Sequence, residues 1–247
     1  MHGINLRSVD LNLLLVLHAL LTERHITRAA NRLNMSQPAV SHALGRLRAL
    51  FADRILIRCG QEMRLGGTVR AGSSTELALA EALRAAEEGG ADTRLLGGAF
   101  LATLPVFDPG PAGPTPGQVE LIAALADADG VIVASPGYHG AISGVMKNAF
   151  DTLELARTGD RPYLADLPVG IIITAGGWQA AGTALVTMRT IVHALRGWPT
   201  PFGATLNTSE GLFADDGRCR SEKDGTQLAT VAGQVMGFAR MKQAVAA

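Results

Sequence analysis

The sequence predicts an α/β protein in which a doubly wound parallel sheet follows a small all-α segment at the N-terminus. After residue 66, short apolar runs such as Val131–Ala134 alternate with segments of helical periodicity. Such alternation is typical of a parallel sheet with helices on both faces. The charge is divided in the same way, since nine Arg, no Lys and four acidic residues give 1–65 a formal charge of +5, whereas the whole chain has 0. We therefore predict two domains, 1–65 and 66–247.

The N-terminal segment has the pattern of a helix-turn-helix. Asp10 is a plausible N-cap for a first helix, whose inward face consists of leucines at helical spacing. These leucines are Leu11, Leu13, Leu14, Leu17, Leu20 and Leu21. A second helix fits Ile26–Leu33, and Asn34 can take the turn that follows it. Ser36 can cap a third helix that has Pro38 in its first turn.

The residues of this pattern resemble the DNA-reading head of LysR-type transcription regulators. The resemblance is carried by residues 27–30, 35–44 and 46–48, and residues 50–58 are similar to the wing of such heads. It implies a winged helix-turn-helix whose third helix enters the major groove of double-stranded DNA. By resemblance, the residues that face base edges are Ser36, Gln37, Pro38, Ser41 and His42, and those at phosphates are Arg46 and Arg48.

Two features leave the role of this head open. The same helices also fit a hairpin that serves only as a packing or interaction module, and an Arg-rich solvated surface has the same charge as a DNA-binding one. LysR-type proteins continue into a long dimerising helix and an effector domain, and neither pattern follows residue 58. Because two-fold operators are read by dimers, DNA binding would need the second domain to supply the pairing.

The second domain is predicted to have flavodoxin-like winding, with a ligand at the carboxyl ends of its strands. The first helix, Glu76–Glu88, is expected to turn Leu77, Ala80 and Leu83 inward. The later elements are predicted as follows: strand Thr93–Leu96, helix Gln118–Ala128, strand Val131–Ala134, helix Ser143–Leu155, strand Val169–Thr174, helix Thr183–Leu195, strand Gly203–Leu206 and helix Thr226–Val245.

A loop rich in glycine and hydroxyl residues, Gly66–Thr75, lies immediately before the first of these helices. Hydroxyl donors, amides at a helix N-terminus and one guanidinium suit a phosphate dianion. The side chains predicted to surround the phosphate are Thr68, Arg70, Ser73, Ser74 and Thr75. Structural turns share this composition, so the assignment depends on the position before a helix and on agreement with a second loop.

This loop, Ser135–Gly140 and Lys147-Asn148 together resemble the flavin-binding segments of the NAD(P)H-dependent FMN reductases. The resemblance spans about 66–241 and implies FMN and NADPH, or NADH, as cofactors. In the second loop it implies flavin contacts from Pro136, Gly137, Tyr138, His139 and Gly140. In the third loop it implies contacts from Thr174, Gly176 and Gly177, whose glycines let the backbone approach the ring. A core tyrosine and an internally bonded histidine are the structural alternatives for Tyr138 and His139.

One segment departs from the pattern of these reductases. Their first strand is a buried apolar run that leads into the phosphate loop, whereas Gln61–Leu65 is mostly polar. In this winding the first strand is central, where charged side chains are costly to desolvate. Either Ile55–Cys59 takes the central position with an unusual loop after it, or 61–65 fills the position poorly and weakens the flavin site.

The function predicted from these resemblances is hydride transfer from nicotinamide to FMN by an oxidoreductase fused to a DNA-binding head. Flavin chemistry needs little from side chains, so we predict neither a catalytic acid or base nor a metal site. The family resemblance also implies a homo-oligomer. The alternatives are a flavin- or redox-responsive transcription regulator and a fusion in which one part is inert.

The composition points to a cytoplasmic protein that does not enter a membrane. The longest apolar run, Leu13–Leu17, is far shorter than the roughly 20 residues that span a bilayer. Cys59 and Cys219 fit neither a disulfide framework nor a metal-ligand spacing, and we interpret them as bystanders in a reducing compartment.

Overall fold

The computed structural model describes residues 10, 12–23, 26–51, 59–110 and 113–245. The chain divides into two compact units, Met1–Arg58 and Cys59–Ala247. No helix in the described ranges is both long enough and apolar enough to cross a membrane.

The first unit contains three helices, α1 (Asn12–Glu23), α2 (Ile26–Arg32) and α3 (Gln37–Phe51). They enclose a small apolar core, in which Ala29 and Ala30 are buried and so allow close approach of a crossing helix. The other buried members of this core are Leu13, Val16, Ala19, Leu20, Val40, Ala43, Leu44 and Leu47. The leucines predicted for the inward face of α1 are therefore divided, because Leu14 is 44% exposed.

The turn between α2 and α3 has the geometry that its sequence predicts. Asn34 adopts a left-handed conformation with φ of 52°, and its N–H bonds the carbonyl of Asn31 while the Met35 N–H bonds that of Ala30. These paired bonds form a Schellman motif, which satisfies the last carbonyls of a helix. Ser36 Oγ then accepts from the Ala39 N–H at 3.3 Å and caps α3.

The end of α3 differs from the prediction. Leu50 and Phe51, predicted as the start of a wing, are the last residues of this helix. The rest of the predicted wing, 52–58, lies outside the described residues.

The second unit is a parallel sheet with helices on both faces. Its elements are β1 (Cys59–Gly66), α4 (Ser74–Glu88), β2 (Ala91–Leu96), α5 (Gly98–Leu101), α6 (Pro116–Ala126), β3 (Gly130–Tyr138), β4 (Ala141–Ile142), α7 (Gly144–Thr152), β5 (Pro168–Ala175), α8 (Trp178–Ala194), β6 (Trp198–Asn207) and α9 (Glu222–Val245), with short 3₁₀ helices at Leu153–Ala156 and Thr208–Glu210. The strand order is β2-β1-β3-β5-β6, and β4 pairs antiparallel with β3. Counting parallel strands along the chain, this is the flavodoxin-like order that the sequence predicts.

The central strand comes from the polar segment. In β1, Leu65 pairs with Leu96 of β2 on one side and with Val133 of β3 on the other. The second of the two sequence alternatives is therefore confirmed: residues 61–65 occupy the central position, and β1 begins at Cys59, ahead of the boundary predicted at residue 66. Residues 55–58 of the other alternative lie outside the described residues.

Two apolar cores lie on opposite faces of the sheet. Alternate residues of β3 face them, so that Val131 and Val133 join the core under α6, α7 and α8, while Ile132 and Ala134 join the core under α4 and α9. This alternation of fully buried residues is expected for a strand covered on both faces.

The inward face of α4 differs from its prediction. Leu77, Ala80 and Leu83 are only half-buried, whereas the buried residues are Thr75, Ala78, Leu79, Ala82 and Ala86. The phase of the helix is rotated by about one position because α4 packs against both the sheet and α9, and its small alanines allow that approach.

Several element bounds also differ from the predictions. Strand β6 begins at Trp198 rather than Gly203, and helix α9 begins at Glu222 rather than Thr226. The strand predicted as 131–134 continues to Tyr138, because β4 pairs with its end. Helix α8 begins at Trp178 rather than Thr183, and the helix predicted as 143–155 becomes 3₁₀ after Thr152.

Helix α9 approaches the sheet closely at Gly170 of β5. A Cβ there would lie 2.6 Å from Val231 Cγ1 and 2.8 Å from Val235 Cγ2. Gly233, on the exposed side of the same helix, has nothing within 4 Å of an added Cβ. The two glycines therefore differ in whether an added methyl group can be accommodated.

We expect Gly170→Ala to lower the free energy of unfolding by about 1–3 kcal/mol through overpacking. The control Gly233→Ala should leave it unchanged or raise it by up to about 1 kcal/mol, because alanine favours a helix interior. Urea unfolding followed by tryptophan fluorescence measures this directly, since Trp178 and Trp198 both belong to the α/β unit. An undiminished stability of Gly170→Ala would contradict the close packing of α9.

Candidate functional site: loops at the carboxyl edge of the sheet

Three loops follow the carboxyl ends of the neighbouring strands β1, β3 and β5. We call them the phosphate loop (67–73), the hairpin turn (139–140) and the β5 loop (176–177). Because these strands are parallel and adjacent, their following loops meet at one edge of the sheet. The sequence-predicted cofactor residues are therefore brought to this edge together.

Buried hydrogen bonds join the phosphate loop to the segment after β3. The Gly67 N–H donates to the Ala134 carbonyl at 2.8 Å, and Ser143 Oγ donates to the Gly67 carbonyl at 2.6 Å. The Ser143 N–H in turn donates to Ser135 Oγ at 2.9 Å. Ser143 also caps α7 by accepting from the Met146 N–H. Sequence reasoning did not assign a site role to either serine, although a hydroxyl directly before a helix is a recognisable cap signal.

Two of the five side chains predicted to surround the phosphate, Ser73 and Thr75, form hydrogen bonds within the protein. Ser73 is buried and caps α4, with its Oγ accepting from the Glu76 N–H at 3.2 Å. Thr75 Oγ1 and Thr174 Oγ1 form a buried hydrogen bond of 2.6 Å. This bond connects α4 to the end of β5, so Thr75 and Thr174 also fix the distance between the first and third loops.

The other three side chains predicted to bind the phosphate are more accessible to a ligand. Arg70 is exposed, and Thr68 and Ser74 are half-buried. Arg70 has no hydrogen-bond or ion-pair partner within the described part of the chain. Its guanidinium is therefore available for a charge-assisted bond to an anion.

One amide of the loop already bonds a carboxylate. The Gly72 N–H donates to Glu76 Oε2 at 2.7 Å. The carboxylate of Glu76, in the first turn of α4, is also favoured by the helix dipole. The loop thus already holds one negatively charged oxygen, that of Glu76, at the N-terminus of α4.

The second predicted loop is largely a strand. Pro136, Gly137 and Tyr138 belong to β3, and only His139 and Gly140 form the turn to β4. Both turn residues have positive φ, 51° for His139 and 80° for Gly140, as a tight two-residue hairpin requires.

The predicted flavin contacts around this turn differ in how far they are exposed. Pro136 is buried and Gly137 is half-buried, whereas His139 is exposed and Tyr138 is 57% exposed. Tyr138 is therefore not a core tyrosine, and its ring is accessible for contact with a ligand.

The β5 loop leaves open space around its glycines. A Cβ added at Gly176 or Gly177 would have no neighbour within 4 Å. Gly177 is the N-cap of α8 and provides no side-chain cap, and Trp178, half-exposed, follows it. A helix N-terminus without a side-chain cap, next to unfilled space, suits approach by a polar ligand edge.

The Lys147-Asn148 pair has a structural role in α7. Asn148 Nδ2 donates to the Pro105 carbonyl at 3.0 Å, and Asn148 Oδ1 accepts from the Phe107 N–H at 2.8 Å. Lys147 forms an ion pair with Asp151. Asn148 thereby fixes the backbone of residues 105–107, which follow α5.

The thiol of Cys219 is not a candidate nucleophile. Burial, followed by the carboxylate of Asp224, raises its pKa above the usual value, so the thiol stays protonated at neutral pH. Among the residues that the structure describes, no group of three or more His, Cys, Asp or Glu could hold a metal ion.

The first unit presents a polar face on α3. Most residues predicted to contact DNA are exposed on it: Ser36, Gln37, Pro38, Ser41, His42 and Arg46. Val40, Leu44 and Leu47 lie on the buried face. Arg46 is paired with Asp10 at 3.2 Å, so a phosphate would compete with that carboxylate. The side chain of Arg48 lies outside the described residues.

Comparison with known proteins identifies both parts of the chain. The family model for NADPH-dependent FMN reductase matches residues 64–210, and that for bacterial regulatory helix-turn-helix proteins of the lysR family matches 11–66. The HTH-type transcriptional regulator SyrM of Rhizobium etli is 58% identical over 57 residues, which are 23% of this chain and 17% of that protein. The chain thus spans less than a fifth of the length of this regulator.

Solved structures share the fold of the second unit. The flavoenzyme NAD(P)H:(acceptor) oxidoreductase FerB from Paracoccus denitrificans superposes with a TM-score of 0.62 at 19% identity, covering 74% of this chain and 98% of FerB. RosB, solved with bound 8-demethyl-8-formylriboflavin-5'-phosphate, gives 0.59 at 15% identity and covers 74% and 80%. At these identities the likeness shows the fold alone. The reductase model, however, covers more than half of the chain, and the protein therefore belongs to the NADPH-dependent FMN reductase family, with a lysR-type helix-turn-helix in front of its reductase domain.

Proposed function

We propose that the α/β unit is an NAD(P)H-dependent FMN reductase. The observation that carries the proposal is the junction of three strand ends, where buried hydrogen bonds connect Gly67 to Ser143 and Thr75 to Thr174. The groups at and beside these three strand ends suit the phosphate and the ring of FMN. Family membership of residues 64–210 supports the same reading.

The phosphate of FMN fits the phosphate loop and the N-terminus of α4. Arg70 supplies an exposed guanidinium, and Thr68 and Ser74 supply hydroxyls. Ser73 and Thr75 hold the loop in shape through their own bonds. The positive charge of Arg70 offsets the repulsion between the phosphate and the Glu76 carboxylate.

The isoalloxazine ring fits beside the hairpin turn and the β5 loop. Tyr138 offers an exposed aromatic ring for stacking, and the open space at Gly176 and Gly177 lets backbone amides reach the pyrimidine edge. When bound, FMN supplies the hydride-accepting chemistry, while the protein binds and orients the ring. No side-chain acid or base is assigned for that reason.

A second function is supported by the polar face of α3. Its exposed Gln37 and His42 stand on a helix whose other face is buried, as in a helix that reads DNA. We propose that the first unit binds double-stranded DNA. A transcription regulator that responds to flavin or redox state would combine both functions.

The reductase function is tested by the absorbance spectrum of the purified protein with FMN, before and after NADPH or NADH. We expect a protein-bound flavin spectrum that bleaches when the nicotinamide is added without oxygen, because the ring is reduced. Protein that retains no flavin at excess FMN would overturn the proposal. Bound flavin that no nicotinamide reduces would limit the unit to flavin binding.

Arg70→Ala should weaken FMN binding by about 10- to 150-fold, equivalent to the loss of one charge-assisted bond. The matched control is Arg157→Ala, since Arg157 is also exposed but follows α7 and its 3₁₀ turn, away from the carboxyl edge. Flavin fluorescence titration measures both variants. Equal affinities of the two would remove Arg70 from the phosphate site.

Arg46→Ala should reduce the salt dependence of binding to a mixed-sequence DNA duplex by about one unit of slope. Arg32→Ala is the matched control, because both arginines are about half-exposed and ion-paired, Arg46 with Asp10 and Arg32 with Glu23. Fluorescence anisotropy at several salt concentrations gives the slopes. If the two variants behave alike, Arg46 does not meet a phosphate.

A further inference from the structure

We infer that Gly98 is a positioning residue for the flavin phosphate, because its missing side chain provides the surface on which the phosphate loop lies. The inference rests on the proposed function and adds to it a residue in a different part of the chain. Gly98 belongs to α5, after β2, and is not among the residues that the sequence predicts for the site.

The backbone of the phosphate loop passes directly over Gly98. A Cβ added there would overlap the carbonyl group of Thr68 and would lie 2.9 Å from the amide nitrogen of Val69. Both obstacles are backbone atoms, which cannot move aside as the end of a flexible side chain can. Any side chain at 98 therefore has to displace either residues 68–69 or α5.

Gly97, the residue before Gly98, has open space where its side chain would be. Gly97 is the N-cap of α5, with φ of −74°, and an added Cβ would have no neighbour within 4 Å. The structure therefore has space for a methyl group at 97 but not at 98. The requirement for glycine at 98 comes from contact with the loop, not from backbone conformation.

The segment that a side chain at 98 would displace contains two of the side chains proposed to bind the phosphate. Gly67 is held by its bonds to Ala134 and Ser143, and Ser73 is held as the cap of α4. Residues 68–70 lie between these fixed points, and they include Thr68 and Arg70. Movement of this segment would shift the hydroxyl and guanidinium away from the phosphate, whereas the hairpin turn and the β5 loop would keep their places.

A displaced phosphate loop should affect FMN but not riboflavin, which has the same ring and no phosphate. Gly98→Ala should weaken FMN binding at least about tenfold, corresponding to the loss of one good phosphate contact. Riboflavin binding should change less than about threefold, because ring contacts are retained. A general folding defect would weaken both ligands equally.

The experiment compares wild type, Gly98→Ala and Gly97→Ala in the full-length protein, by fluorescence titration with FMN and with riboflavin. Selective loss of FMN affinity in Gly98→Ala alone supports the inference. Equal FMN affinities of the three proteins, or parallel losses of FMN and riboflavin affinity, overturn it. Failure of wild type to bind FMN would instead refute the proposed reductase function.

A measurement on the wild-type protein covers the case in which Gly98→Ala does not fold. FMN should slow hydrogen–deuterium exchange in residues 67–73 and in 97–101 together, since a restrained loop also restrains the helix beneath it. Residues 116–126 of α6 serve as the reference. Protection of the loop without protection of α5 would contradict the positioning role.

Discussion

The structure depends on the backbone pairing of β1 along both of its edges. Residues 62–66 pair with 130–134 of β3, and 61–65 pair with 92–96 of β2. This pairing continues past the strand through the bond from the Gly67 N–H to the Ala134 carbonyl. The phosphate loop therefore leaves the sheet beside the end of β3, which brings it into reach of Ser143 and the hairpin turn. Because backbone hydrogen bonds are independent of side chains, a polar segment can supply them.

Because β1 is held by backbone bonds and not by an apolar pattern, the sequence predicts some features of the fold better than others. The alternation of buried strands with helices follows from hydrophobic periodicity, which Val131–Ala134 shows clearly, whereas the flavodoxin-like strand order was predicted with the help of the family resemblance. The place of β1 does not follow from that periodicity, because Gln61–Leu65 carries no apolar pattern. The inward face of α4 was predicted incorrectly because contact with α9 sets its phase. The sequence likewise predicts each flavin loop separately. It does not predict the hydrogen bond between Thr75 and Thr174, because the two residues are far apart along the chain.

The Glu76 carboxylate has two opposite effects on the phosphate loop, since it bonds a loop amide but would repel a phosphate. Its amides need an acceptor when no ligand is bound, and Glu76 supplies one at Gly72. The same carboxylate repels a phosphate dianion, so net attraction at this helix end depends on Arg70 and on the dipole of α4. Gly98 lies directly beneath residues 68–69 of the loop, so in the proposed site it would also affect where Arg70 can reach.

The two proposed functions belong to units that follow one another along the chain. Helix α3 ends at Phe51 and β1 begins at Cys59, whereas the proposed flavin loops follow the opposite, carboxyl end of the same strand. A ligand changes DNA binding only if it interacts differently with two states of the protein. A central strand bonded on both sides has little freedom to provide two such states. We therefore do not expect β1 to transmit a flavin-dependent signal between the two proposed functions.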